Sequence, residues 1–110
     1  MLFLLLALRG VLLGAFGAHA LKTKRSEALI KTWETAVHYQ FIHAIGLLAV
    51  AFAPRESRIA GWSFVAGTVL FSGSLYGLVL TEQRKLGAIT PIGGLLYVAG
   101  WLALFWQGTV

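Results

Sequence analysis

Residues 59–80 read IAGWSFVAGTVLFSGSLYGLVL, a run without a charged residue set between Arg58 and Glu82. An uncharged apolar run of about 18 or more residues is long enough to cross the hydrocarbon core of a bilayer as a helix. A helix that is apolar on every side needs either a large protein interior or lipid around it. A chain of 110 residues cannot build such an interior, so the stretch predicts a transmembrane helix. Its polar residues are ordered: Thr68, Ser72 and Tyr76 recur at i, i+4 and i+8 and form one stripe. Gly73 and Gly77 make a GxxxG pair on an adjacent flank. In lipid, small residues let helix backbones approach and hydroxyls bond across helices, so this side is expected to meet a protein neighbour. Bulk at Gly73 or Gly77 is then expected to cost more than bulk at Val79, which falls on another face and is read as meeting lipid.

The rest of the composition agrees with a membrane chain. At 58% hydrophobic, 12% charged and a mean hydropathy of +0.80, it lies outside the range of soluble domains, and its length allows one domain, residues 1–110. Nine Lys and Arg against four acidic residues give a basic protein. These cations sit in short segments between apolar runs, the pattern of loops facing anionic headgroups. Nucleic-acid binding would need a basic face on a soluble fold, and that class is set aside. Without cysteine there is no disulfide framework and no thiolate metal site.

Moving outward, residues 36–53 form an apolar run ended by Pro54, and the short PRESR segment 54–58 makes this run an antiparallel neighbour of the 59–80 helix. TEQRKL at 81–86 makes an equally short turn into a further run, residues 87–106, with Pro91 in its first turns, where a missing N–H costs least. The chain opens on MLFLLLALRGVLLGAFGAHAL, residues 1–21. Ala18-His19-Ala20 has the form of a signal-peptide cleavage site. However, no basic residue precedes the apolar region and Arg9 interrupts it, so a retained first span is expected. Gly10, Gly14 and Gly17 lie along one side of this run as a second packing seam, and Gly93 and Gly94 are packing candidates in the last span. KTKRSEALIKTWET, residues 22–35, is the main polar connector. It offers Ser26 as an N-cap, Glu27 and Lys31 as an i, i+4 pair, and Trp33 as an interfacial anchor. The alternative is one helix running from the connector straight into the next span. The expected fold is thus all-α: an antiparallel bundle of four transmembrane helices at about 2–21, 36–53, 59–80 and 87–106, with a short amphipathic interfacial helix between the first and second. Because the first and third loops carry Lys22, Lys24, Arg25, Lys31, Arg84 and Lys85 and the second only Arg55 and Arg58, both termini are expected outside the cytoplasm of an inner-membrane protein.

Four blocks of residues carry a resemblance. They are GAFGAHALK at 14–22, WETAVHY at 33–39 with HAIGLL at 43–48, LFSGSLY at 70–76, and LGAITPIGG at 86–94. In this order, over nearly the whole chain, they resemble the small integral membrane family catalogued as domain of unknown function 423, related to a short transmembrane protein of animals. The resemblance implies a small helical inner-membrane protein, usually of four spans, and implies no activity. Arg9 departs from it, falling where an apolar or small residue is expected.

Polar residues at membrane depth are the candidate site. At about 1.5 Å of rise per residue, His43, Ser72 and Tyr97 fall near the midplane. Arg9, Thr68 and Trp101 fall about 10–13 Å below the outer surface on the same rise. His19, Glu34, His38, Tyr76 and Thr90 gather towards the cytoplasmic side. Thr90, Gly94, Tyr97 and Trp101 share a face of the last span, so polar groups from all four spans are expected to meet in one interior column. An intramembrane ionisable group is a functional hypothesis by default, and Arg9 at a helix centre costs about 2.5–3.5 kcal/mol on the insertion scale. A cation–π contact with Trp101, plus the Thr68 hydroxyl, is its available partner set; snorkelling to the surface is the alternative. His38 and His43, about 140° apart round a helix, cannot chelate from one face. A metal or haem site would need His19 with His38 across two helices, or His43 with a partner from another chain, and Glu34 with His38 is equally a polar knot between span ends. No cofactor is expected, and no nucleophile elbow, phosphate loop or HExxH marks an enzyme.

Two functional classes remain. One is a structural or accessory membrane module, in which the column is dry, His43 is neutral and bonded to a hydroxyl or carbonyl of a neighbouring span, and a membrane protein or a second copy docks. The other is a conduit or carrier for protons or a small polar solute through Arg9, His43, Tyr97 and the hydroxyl stripe. The first is preferred, because column residues can bond one another and leave no water path.

Overall fold

The computed structural model describes residues 2–52 and 58–109, and every described element is helical. Helix α1, Leu2–Phe16, passes into a π-helical turn at Gly17–Leu21. Helix α2 is Glu27–Ala51 and α3 is Arg58–Thr81; a 3₁₀ turn, Arg84–Ala88, leads into α4, Thr90–Thr109. Among the described residues, three stretches are long and apolar enough to cross a membrane: Leu4–Leu21, Arg58–Thr81 and Arg84–Trp106. Helix α2 falls short of that measure because even its last 18 residues, 34–51, include Glu34, His38, Gln40 and His43. From Thr35 to Ala51 it carries no Lys, Arg, Asp or Glu.

The separate interfacial helix expected between the first two spans is absent, and this is a correction. Ser26 caps α2 as its side chain predicts, its Oγ accepting from the Leu29 N–H at 3.3 Å. From there one helix of 25 residues runs through to Ala51. No proline interrupts this stretch, and an unbroken backbone ladder propagates at little cost once nucleated. Trp33 is likewise no interfacial anchor. It is 1% exposed, wedged against Gly17, where a Cβ would collide with its indole ring. Pro54 and most of the PRESR turn lie outside the described residues.

Packing follows chain order: α1 lies on α2, α2 on α3, and α3 most extensively on α4. The array is open between α1 and α4 rather than closed into a ring. Two apolar clusters stack along its length. Leu21, Trp33, Val37 and Val79 form one, towards the end that bears the first and third loops; Leu47, Phe64 and Tyr97 form the other. Val79 is fully buried, so its expected lipid-facing position is corrected. Arg25 fixes that end by donating from Nε to the Val79 carbonyl at 2.9 Å and from Nη2 to the Leu80 carbonyl at 3.0 Å. These are acceptors that a helix C-terminus otherwise leaves free.

The glycines mark where backbones meet, and they are partly not the ones expected. Gly10, Gly14 and Gly17 face Phe41, Val37 and Trp33 of α2. Between α3 and α4 the close approach is made by Gly93, whose added Cβ would strike the backbone of Phe71, with Gly67 against Tyr97 and Gly100 against Phe64. Gly94 leaves ordinary contact room, its nearest neighbour being Phe71 at 3.9 Å from an added Cβ. Gly77 faces only Leu86 of the 3₁₀ turn, and Gly73 has nothing within 4 Å. The GxxxG pair is therefore not a helix–helix seam within one chain. Its flank of α3 turns away from both neighbours because the polar stripe, not the glycine pair, faces inward.

Candidate functional site

The inward stripe of α3 meets polar groups of α2 and α4 in discrete pairs. Ser72, fully buried, donates from Oγ to the Ala36 carbonyl of α2 at 2.7 Å. One turn earlier, the Thr68 hydroxyl accepts from the Tyr97 hydroxyl of α4 at 3.1 Å. One turn later, the Tyr76 hydroxyl donates to Gln40 Oε1 of α2 at 2.7 Å. Gln40 passes the link on, donating from Nε2 to the Leu6 carbonyl of α1 at 2.7 Å. A single buried amide thus ties three helices together. Ser74 donates to the Phe71 carbonyl at 2.9 Å, which leaves its oxygen to accept from the Thr90 hydroxyl at 2.6 Å.

His43 is the centre of an aromatic cluster. It is 3% exposed and lies face to face with Tyr97, ring centroids 3.4 Å apart and planes 6° from parallel. The Phe64 ring stands edge-on at 5.4 Å. Both imidazole nitrogens are used: Trp101 Nε1 reaches Nε2 at 3.0 Å, and Nδ1 is 2.7 Å from the Tyr39 carbonyl. An indole N–H can only donate and a carbonyl can only accept. The ring is therefore the neutral tautomer with its proton on Nδ1. The expected partner, a hydroxyl or carbonyl of a neighbouring span, is replaced by an indole N–H from α4 and by a carbonyl of His43's own helix.

Several expected members stand outside this interior. Arg9 is exposed and makes no hydrogen bond, ion pair or ring contact with the described residues; Trp101, its expected cation–π partner, serves His43 instead. His19, Glu34 and His38 are exposed too. Glu34 and His38 line a groove of about 260 Å³ between α1 and α2, floored by Gly14, Gly17 and Ala18. No group of three or more potential metal ligands gathers among the described residues. Helix α1 joins the polar interior through two backbone carbonyls, Leu6 to Gln40 and Leu13 to Trp33 Nε1 at 2.8 Å, rather than through a side chain of its own.

Gln40, Ser74 and Trp33 are interior residues that the sequence reading left out of the column. A lone amide within an apolar run is a signal for the first, since hydrocarbon leaves it no other partner. For Trp33 the available signal was Gly17, a space of indole size on the facing helix.

Residues 13–94 match the model of a family described as "Protein of unknown function (DUF423)". A UPF0382 membrane protein of Staphylococcus haemolyticus is 53% identical over 83% of this chain and 78% of its own length. A second, of Staphylococcus epidermidis, is 49% identical over 89% and 84%. The UPF0382 membrane protein YwdK of Bacillus subtilis is 48% identical over 89% and 85%. No solved structure matches the chain.

Proposed function

We propose, from the premise that this chain belongs to the DUF423 family of membrane proteins of unknown function, that it is a structural or accessory membrane module and not an enzyme or a conduit. The observation that carries this reading is the pairing of the interior. Gln40, His43, Thr68, Ser72, Ser74, Tyr76 and Tyr97 each bond another protein group, and polar groups that bond one another leave little need for water. A permeant would need polar groups continuous from one face to the other. Arg9, His19, Glu34 and His38, which would have extended the path, point outward.

The module has four spans in this reading. Helix α2 crosses from about Thr35 onward, and its charged first turns stand in the headgroup layer as a continuation of the span. The six cations of the first and third loops hold that end in the cytoplasm of a bacterial cell, with both termini outside. Its partners are the bilayer and either another membrane protein or a second copy.

The test is flux. Liposomes containing the purified protein and an internal pH dye are expected to acidify no faster than empty ones, and His43→Ala is expected to lower thermal stability without changing that rate. Proton or solute flux through wild type, lost in a folded His43→Ala variant, would replace the module by the conduit.

A further inference from the structure

A groove of about 650 Å³ opens sideways between α2 and α4, walled by Tyr39, Ile42 and His43 on one side and by Pro91, Gly94, Leu95, Val98 and Trp101 on the other. Phe71 and Tyr97 form its floor. The volume lies within the range of sites that enclose one ligand, about 300–1,000 Å³. Along α4 the wall runs from Pro91 to Trp101, about 15 Å at helical rise. That is half of the ~30 Å hydrocarbon core, a length that one acyl chain entering from the loop end can fill up to and past the level of Tyr97. A docked transmembrane helix would need a groove of the full depth.

The lower end of the groove is where charge begins. Arg84 and Lys85 sit in the 3₁₀ turn that leads directly into the α4 wall. On α2, Lys31, Thr35, Tyr39 and Ile42 recur along one face of the helix, so Lys31 lies two turns below the groove on the side of its α2 wall. All three cations are exposed and in no ion pair among the described residues. The Tyr39 hydroxyl, at the lower end, has no hydrogen-bond partner among the described residues either.

We propose that this groove holds an acyl chain of an anionic glycerophospholipid from the leaflet bordered by Lys31, Arg84 and Lys85, with its phosphate met by those cations and by Tyr39. The apolar slot sets the place of the chain, and the cations at its mouth select the headgroup. The inference rests on the membrane reading but not on the dryness of the interior, so flux and lipid retention are read separately.

Native mass spectrometry of the protein released from detergent supplies the test, with phosphatidylglycerol and phosphatidylcholine of identical acyl chains as probes. Wild type is expected to retain one phosphatidylglycerol in preference to phosphatidylcholine. Each of Lys31→Gln, Arg84→Gln and Lys85→Gln is expected to reduce that preference by about fivefold, the worth of one basic side chain at an anionic surface. Gly94→Leu, whose added atoms enter the groove without meeting backbone, is expected to abolish retention of both lipids with unchanged helical melting. Val98→Trp, from an exposed position on the same wall, is a second way to fill the slot should Gly94→Leu fold poorly. Equal retention of the two headgroups, or undiminished retention in a folded groove-filling variant, overturns the proposal. So does a dimer that carries no lipid and is broken by those variants, since a second copy would then be the occupant.

Discussion

At the scale of single residues, His43 and Gln40 carry the interior, and each makes a definite prediction. The tautomer of His43 is set by what its neighbours can do rather than by solvent. In ¹⁵N-labelled protein its Nδ1 is expected to be protonated and its Nε2 to be a hydrogen-bonded acceptor. Trp101→Phe is expected to move only the Nε2 resonance; an Nε2–H tautomer in wild type would contradict the arrangement. For Gln40, interhelical hydrogen bonds in membranes average about 0.6 kcal/mol and reach about 1.7. Removing both bonds in Gln40→Leu is expected to cost about 1–3 kcal/mol in unfolding from detergent, on that scale. Tyr76→Phe should cost less, and a double-mutant cycle should show coupling between the two sites, because they share a bond. Additive effects would mean that the bond contributes nothing. The histidine was legible as an interior group, but its partner was not. Depth along a helix can be counted from sequence, whereas rotation about the axis cannot, and Trp101 was assigned to Arg9 on depth alone.

At the scale of elements, the decisive contact is α3 against α4. Adding a methyl group at Gly93 would force the Phe71 backbone away, and overpacking of this kind costs about 1–3 kcal/mol. Gly93→Ala is expected to lower the detergent melting temperature measurably, and Gly73→Ala to leave it unchanged. If Gly73→Ala destabilised the protein as much as Gly93→Ala, the outward flank of α3 would be covered by another chain. A small-residue spacing such as that of Gly73 and Gly77 states that a helix could be approached closely, not that it is. Which flank is used was decided by Thr68, Ser72 and Tyr76, whose hydroxyls had to find hydrogen-bond partners. The helices themselves were legible because apolar runs and the Ser26 cap are local signals. The continuity of α2 through its charged first turns was not, since the same pattern suits a helix that lies flat and one that rises out of the headgroup layer.

At the scale of the whole molecule, membrane residence was legible from composition, and the names of the relatives agree with it. Orientation remains a matter of loop charge. A C-terminal alkaline phosphatase fusion is expected to be active and a C-terminal green fluorescent protein fusion dark, as both report a terminus outside the cytoplasm; the reverse pattern would invert the molecule. The open array also bears on biogenesis, through the way α1 is held. Its bonds to Gln40 and Trp33 are accepted by the carbonyls of Leu6 and Leu13, which a helix exposes without help from any side chain. On leaving the translocon, α1 can wait in lipid with its backbone satisfied and only the Arg9 guanidinium left to reach the surface. Helix α2 cannot, because it brings an amide and an indole N–H that need acceptors at once. Chain order therefore delivers the acceptors before the donors, and a circular permutant in which α2 emerged first would be retained poorly in the bilayer even though its final contacts were the same.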